Sequence, residues 1–155
     1  MNKAIFAAGC FWGVQEIFDS VPGVLKTTVG YTGGTTTQPT YETICTGTTN
    51  HAEAIEIEFD TSMTSFNELL KVFWTIHDPT TKNRQGPDIG TQYRSAIFFF
   101  NNQQKLDAEQ YKLQLNKEKY NEKIVTEIIK SSIFYSAEDY HQNYNKKTKE
   151  KYGIS

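Results

Sequence analysis

The segment AEAIEIEFD at 52–60 constrains the fold of this 155-residue chain more than any other part of the sequence. Its residues alternate, with Ile55, Ile57 and Phe59 on one side and two glutamates on the other, and a period of two is that of a β-strand with one dry face. Such a strand must bury its apolar side against a second layer, so the rest of the chain has to supply that layer.

The segments around this strand predict the covering elements and their order. Further strands are expected at 3–8, 24–31, 93–100 and 124–129, and helices from 10 to the Pro22-Gly23 pair, between Ser65 and Asp78, over 103–120, and from Ala137 onward with Ser136 as its cap. The first six elements run strand, helix, strand, strand, helix, strand, which is the order of a split βαβ core. We predict an α+β fold: a two-layer sandwich with a ferredoxin-like βαββαβ core, long functional loops and a C-terminal helix.

Two long polar segments, 31–50 and 79–92, are expected to form those loops. Connections of this length in a small domain are usually either disordered or functional. The length of the chain predicts a single catalytic domain over 1–155. The lysines near its end predict that 146–155 is a basic, solvated tail.

Composition and charge exclude several classes of function. The formal net charge of -2 gives no field that would attract nucleic acid, and no stretch is long and apolar enough to span a membrane. The N-terminal stretch lacks the usual cleavage site of a signal peptide. Cys10 and Cys45 are too few for a disulfide scaffold, and no CxxC pair is present to hold a metal. We expect a cytoplasmic protein without a metal site.

The pentapeptide GCFWG at 9–13 places Cys10 where the first strand meets the first helix. Unpaired N–H groups and the positive end of the helix dipole favour a thiolate at such a position. Phe11 and Trp12 would then wall an apolar cup beside the sulfur, because successive helical residues diverge by about 100°. The alternative is that Cys10 is a small buried residue and both aromatics belong to the core.

Glu53 is the most unusual residue of the alternating strand, because counting back from Phe59 by twos places it on the dry face. A carboxyl on an apolar face must be paired, protonated or functional. Desolvation raises the pKa of a carboxyl group, so Glu53 is a candidate proton donor near neutral pH. The alternative is that Glu53 lies at the open end of the strand and reaches solvent.

Six segments share their order and spacing with one known enzyme family: GCFWG at 9–13, PTYETIC at 39–45, HAEAIEI at 51–57, LLKVFWTIHDPT at 69–80, RQGPDIGTQYRSAIF at 84–98 and AEDYHQNY at 137–144. Through them, the chain resembles the peptide methionine sulfoxide reductase A family from about residue 5 to residue 144. GCFWG alone is a moderate signal. Followed by GTQYRS and AEDYHQ, it is highly specific.

The resemblance implies four catalytic residues. Cys10 is the nucleophile, and Glu53 is the acid. Two tyrosines, Tyr41 and Tyr93, hydrogen-bond the sulfoxide oxygen. This set is chemically coherent, because a sulfoxide sulfur becomes electrophilic only when its oxygen is protonated or strongly hydrogen-bonded.

The resemblance also implies three substrate-binding residues and an activity. Phe11 and Trp12 form the wall that binds the substrate methyl group, and Asp88 helps to hold the substrate backbone. The expected reaction reduces methionine-S-sulfoxide, in proteins, in peptides or as the free amino acid, back to methionine. It leaves a sulfenic acid on Cys10 and repairs oxidative damage.

The sequence departs from the family pattern where the catalytic cycle must close. Many members carry resolving cysteines near the C-terminus, whereas this sequence ends KEKYGIS. Cys45 is the internal candidate for a resolving thiol, with packing as a small apolar residue as the alternative. We expect regeneration by an external thiol, either thioredoxin or glutathione with glutaredoxin. No bound cofactor is expected, and the protein is expected to be a monomer.

The three histidines leave other functions open. His51 would share a face with Glu53 and could orient it, whereas His77 and His141, the latter within the last helix, fit structural roles. One rival function is a thiol-dependent hydrolase or acyltransferase that pairs Cys10 with a histidine. The other is a non-catalytic module whose aromatic cup binds a methionine side chain. Neither explains why a carboxyl group and two phenols should accompany the thiol.

Overall fold

The computed structural model describes residues 2–151 of the chain. The main sheet contains six strands in the order β7-β6-β1-β3-β2-β8. These strands are β1 (Asn2–Ala8), β2 (Val24–Thr32), β3 (Ala52–Phe59), β6 (Ser95–Phe99), β7 (Glu127–Lys130) and β8 (Tyr135–Ser136), and a separate ribbon pairs β4 (Arg84–Gln85) with β5 (Asp88–Ile89). The helices are α1 (Phe11–Asp19), α2 (Tyr41–Cys45), α3 (Phe66–Thr75), α4 (Asn102–Leu115) and α5 (Tyr144–Lys151).

The four central strands confirm the predicted fold class. β1 lies between β6 and β3, β3 pairs with β2, and all three pairings are antiparallel. With α1 after β1 and α3 after β3, this arrangement is the ferredoxin-like βαββαβ core of a two-layer α+β sandwich. β7 extends the sheet parallel to β6 after the crossover through α4.

Phe6 of β1 lies at the centre of the interface between the sheet and its helices. Its ring stacks on Phe18 of α1 with 5.7 Å between ring centroids, and on Phe66 and Phe73 of α3 at 5.8 and 5.1 Å. Each buried aromatic side chain contributes about 1.5–3 kcal/mol through removal of apolar surface from water. This cluster therefore fixes α1 and α3 on the face of the sheet where Ile55 also lies.

The predicted helix from Ala137, capped by Ser136, is wrong, since α5 begins only at Tyr144. Ser136 lies in β8 instead. The N–H of Ala137 donates to the carbonyl of Val29 at 2.9 Å, and the Gln142 side chain bonds both the N–H and the carbonyl of Val29 at 2.9 Å. These bonds to the edge of β2 hold the intervening segment in a non-helical path.

Several other boundaries differ from the prediction. The helix expected over 103–120 ends at Leu115 and continues as a π-helical turn, Asn116–Tyr120, which closes at Asn121 in the left-handed region with φ +50°. The following strand, β7, begins at 127 rather than 124. Tyr93 precedes β6, in the 3-10 turn Thr91–Tyr93. The short helix α2 lies within the predicted loop 31–50.

Two further findings concern the predicted C-terminal tail and the length of the helices. Residues 146–151 of the predicted tail belong to α5, and 152–155 lie outside the described residues. Within residues 2–151, no helix is both long and apolar enough to cross a membrane.

Candidate active site

The end of β1 and the start of β3 bring the Cys10 and Glu53 side chains to one place. β1 and β3 are antiparallel with Phe6 opposite Ile55, so the end of β1 that leads to Cys10 lies beside the start of β3. Cys10 is the N-cap residue of α1, and Glu53 pairs in register with Tyr31 of β2. The sheet thus positions a thiol and a carboxyl group side by side.

Glu53 is buried, with 1% of its surface exposed. Its Oε1 accepts the N–H of Phe11 at 3.3 Å, whereas its Oε2 has no hydrogen-bond partner. Burial is the main reason why the pKa of Glu53 rises to about 8; the charge of Asp88 contributes to this increase, and the Phe11 N–H opposes it. Glu53 is therefore mostly protonated at neutral pH.

Cys10 is half-buried, and the backbone N–H groups of Trp12 and Gly13 lie at the start of the helix that it precedes. They lower the pKa of the thiol, as the position at the start of a helix predicts. Burial nevertheless raises the pKa of Cys10 overall, together with the charges of Glu53 and Asp88. The expected thiolate is thus a thiol in the resting protein, because the sequence pattern does not reveal how strongly the sulfur is desolvated. Protonation of Glu53 removes one of the two opposing charges.

Tyr41 and Tyr93 lie near this pair on two different loops. Burial raises the pKa of both phenols, and the charge of Glu53 adds to the effect on each. The pKa of Tyr93 reaches about 12, with smaller contributions from Asp88 and Cys10. Both hydroxyl groups therefore remain hydrogen-bond donors at neutral pH.

Phe11 and Trp12 form an aromatic wall with residues from the C-terminal part of the chain. Phe11 is buried, with 5.8 Å between its ring centroid and that of Tyr31. Trp12 is half-buried and stacks on Tyr144 at 3.9 Å, and its Nε1–H donates to Nδ1 of His141 at 2.9 Å. The indole is thus held in a fixed orientation.

Asp88 approaches the site on the β4-β5 ribbon. Its charge contributes to the raised pKa of Cys10 and of Glu53, after burial as the main cause, so the carboxylate acts electrostatically on both groups. The ribbon packs on Gly9, which has φ +95° and whose added Cβ would lie 2.8 Å from Cγ of Gln85. Only glycine allows this close approach at the residue before Cys10.

Cys45 is exposed at the end of α2. Burial raises the pKa of Tyr41 at the other end of this helix, and Cys45 adds to the effect. Both Cys45 and Cys10 are free thiols. Cys45 therefore belongs to the rim of the site.

His51 does not orient Glu53. Its Nδ1 accepts the N–H of Gly34 at 3.0 Å, and its Nε2–H donates to the carbonyl of Thr36 at 2.7 Å, so both ring nitrogens brace the loop after β2. His77 lies between the Phe73 carbonyl and the Ser95 hydroxyl, at 2.7 Å from each. Among residues 2–151, no cluster of three or more His, Cys, Asp or Glu side chains is arranged to hold a metal ion.

Sequence reasoning assigned no role in the site to Glu138 and Tyr144, and expected only a structural role within a helix for His141. His141 lies instead in the 3-10 turn Asp139–His141, fully buried against Trp12. All three lie in AEDYHQNY at 137–144, one of the segments that carry the family resemblance, and this motif is the signal in the sequence that points to them.

The family model described as peptide methionine sulfoxide reductase matches residues 2–154. The peptide methionine sulfoxide reductase MsrA of Methanosarcina acetivorans is 56% identical over 148 residues, which cover 95% of this chain and 79% of the relative. The MsrA protein of Methanococcoides burtonii is 55% identical over 148 residues, covering 95% of this chain and 97% of the relative. These matches give no support to a hydrolase or acyltransferase.

Solved structures agree with the sequence matches. Methionine sulfoxide reductase A of Corynebacterium diphtheriae aligns with a TM-score of 0.90 at 38% identity, covering 94% of this chain and 74% of that one. Reduced Mxr1 from Saccharomyces cerevisiae aligns with a TM-score of 0.88 at 34% identity, covering 94% and 84%. The chain belongs to the peptide methionine sulfoxide reductase A family.

Proposed function

We propose that the protein reduces methionine-S-sulfoxide to methionine, in oxidised proteins, in peptides and as the free amino acid, and so acts in protein repair. The observation that carries this proposal is the buried Glu53 carboxyl group, protonated and with Oε2 unpartnered, beside the half-buried Cys10 thiol. A sulfoxide oxygen placed at Oε2 would receive the hydrogen bond that Glu53 cannot make within the protein.

The reaction follows from the position of each group. The substrate methyl lies against Trp12 and Phe11, and Tyr41 and Tyr93 donate hydrogen bonds to the sulfoxide oxygen. The Cys10 sulfur attacks the substrate sulfur while Glu53 protonates the oxygen, and the proton lost by Cys10 restores Glu53. The hydroxyl group then passes from the substrate sulfur to the Cys10 sulfur as the bond between the two sulfurs breaks. The net change converts Cys10–SH and a methyl sulfoxide into Cys10–SOH and a methyl thioether.

Asp88 contributes to substrate binding in this proposal. Its carboxylate acts electrostatically on Cys10, and the ribbon that carries it is packed on Gly9. A backbone N–H of the substrate is a suitable partner for that carboxylate, which would place the sulfoxide next to the sulfur.

The sulfenic acid on Cys10 is then reduced by two external thiols, which yields water and a disulfide. We propose a thioredoxin, or glutathione with glutaredoxin, as the donor. Mxr1 from Saccharomyces cerevisiae has been solved in complex with Trx2. Cys45 is the alternative resolving thiol, since it is exposed and lies in the same short helix as Tyr41.

The setting of the enzyme is also part of the proposal. Both free cysteines suit a reducing cytoplasm. Residues 1–155 would act as one catalytic domain with 146–155 as a basic tail, and the protein would work as a monomer.

A reductase assay tests the proposal with racemic peptide sulfoxide and dithiothreitol. The wild type should convert the S epimer and leave the R epimer, and Cys10→Ser should be inactive because no other thiol adjoins Glu53. Cys45→Ser is the matched control and should stay active with this small reductant. Turnover by Cys10→Ser would refute the assigned nucleophile.

Mass spectrometry after one turnover without reductant separates the two routes of regeneration. A sulfenic acid on Cys10, trapped by a dione reagent, supports the external thiol. A disulfide between Cys10 and Cys45 would instead assign the resolving role to Cys45.

A further inference from the structure

Glu138 accepts two hydrogen bonds from residues that surround the active site. Its Oε1 accepts the hydroxyl of Tyr31 at 3.0 Å, and its Oε2 accepts the backbone N–H of Tyr41 at 3.1 Å. These partners come from β2 and from α2, so one carboxylate joins both elements to its own segment of the chain.

Tyr41 depends on such an anchor because α2 has only five residues. Isolated helices this short are not stable in water, and the first N–H groups of a helix have no partner within it. The side chain of Thr40 caps the N–H of Thr43, and Glu138 takes that of Tyr41. Ile44, fully buried, also attaches α2 to the core, and the Tyr41 ring packs on that of His141 with 4.4 Å between ring centroids.

Glu138 also begins the turn that holds the aromatic wall. Its carbonyl accepts the N–H of His141 at 2.9 Å, and Nδ1 of His141 accepts the indole N–H of Trp12 at 2.9 Å. The backbone of Glu138 thus faces the methyl-binding side of the site, while its carboxylate faces the tyrosine side.

We propose that Glu138 is a positioning residue for sulfoxide reduction: its carboxylate fixes the start of α2 so that the Tyr41 hydroxyl meets the sulfoxide oxygen. The inference rests on the proposed function, because it requires Tyr41 to act on that oxygen. Glu138 itself makes no contact with substrate and transfers no proton. Its effect passes entirely through the orientation of Tyr41.

Two substitutions separate hydrogen bonding from charge. Glu138→Ala removes the acceptors for Tyr31 and Tyr41. Glu138→Gln keeps both links without the charge, since its amide oxygen can accept the Tyr41 N–H while its NH₂ group donates to the Tyr31 phenol oxygen. Asp139→Ala is the matched control, because it removes the exposed neighbouring carboxylate.

Steady-state kinetics on an S-sulfoxide peptide with dithiothreitol give the first test. We expect Glu138→Ala to lower kcat roughly tenfold, because it removes a hydrogen bond to a charged group. KM should change less than twofold, because the hydrogen bond from Trp12 to His141 that orients the indole does not involve the Glu138 carboxylate. Glu138→Gln should stay within threefold of the wild type, and Asp139→Ala should match it. Full activity of Glu138→Ala, or no rescue by glutamine, would overturn the inference.

A double-mutant cycle with Tyr41→Phe separates positioning from general damage to the fold. Phenylalanine keeps the backbone N–H but has no hydroxyl to misplace, so Glu138→Ala should cost less than twofold in that background. An undiminished tenfold cost would mean that Glu138 acts by another route. The wild type and Cys10→Ser are the controls in the same assay. An inactive wild type refutes the proposed function. An active wild type, with losses from Glu138→Ala and Tyr41→Phe that add in the double variant, refutes only the role of Glu138.

Discussion

Glu53 at the start of β3 and Glu138 before the turn Asp139–His141 are two carboxyl groups of one region with opposite surroundings. Glu53 is buried with a single hydrogen bond from a backbone N–H, and burial raises its pKa to about 8. Burial acts on Glu138 in the same direction, but hydrogen bonds from backbone N–H groups and from Tyr31 outweigh it and lower its pKa. The number of donors around a carboxyl group therefore decides whether it is a proton donor or a fixed anchor.

The largest effect that follows from this contrast is the loss of the Glu53 proton. Glu53→Gln should lower kcat about 100-fold, since general acid catalysis contributes about 10²–10⁴-fold. Glu58→Gln, on the other face of the same strand, should have normal activity. Thioether production by both variants checks the difference, and an undiminished kcat for Glu53→Gln would remove the acid from the mechanism.

The two carboxyl groups should also differ in how they make the stability of the protein depend on pH. A group whose pKa is raised in the folded state binds its proton more tightly there than in the unfolded chain, so its contribution is lost as pH rises. As pH rises from 4.5, the ordinary pKa of a glutamate, to about 8, Glu53 should lower the free energy of unfolding by on the order of 4 kcal/mol. Urea unfolding at several pH values measures this slope. Glu53→Gln should flatten it, and an equal slope in that variant would contradict the assignment.

Glu138 should show the opposite and smaller dependence. Its pKa is lowered in the folded state, so its contribution is present above the unfolded value and is lost as pH falls through the folded one. Because the side chain is only partly buried, the effect should be below about 1 kcal/mol. Urea unfolding between pH 5 and pH 3 should show a shallower loss for Glu138→Gln than for the wild type. A steeper loss would mean that Glu138 is not held ionised.

The sequence predicts the part of the site that depends on local pattern. Alternation places Glu53 on the dry face, and the change of period at Gly9 places Cys10 at the start of α1. Neither pattern reveals how strongly burial and nearby carboxylates oppose ionisation of Cys10, so the direction of its pKa shift was wrong.

The part that could not be predicted depends on contacts between distant segments. Helical propensity favoured a helix from Ala137, but the edge of β2 binds this segment through Val29 and Gln142, more than 100 residues apart in sequence. Those bonds place Glu138 beside Tyr41 and His141 beside Trp12. Hydrophobic periodicity depends on neighbouring residues, so it cannot reveal a partner so far along the chain.

The central claim, that Glu53 holds a proton at neutral pH beside the Cys10 thiol, can be measured directly. Carbon-13 NMR of reduced protein labelled at the glutamate carboxyl groups follows each titration, with Glu53→Gln to assign the signal. We predict that the Glu53 resonance titrates near pH 8, well above the ordinary pKa of 4.5 for a glutamate. A Glu53 signal that titrates below pH 5 would contradict it.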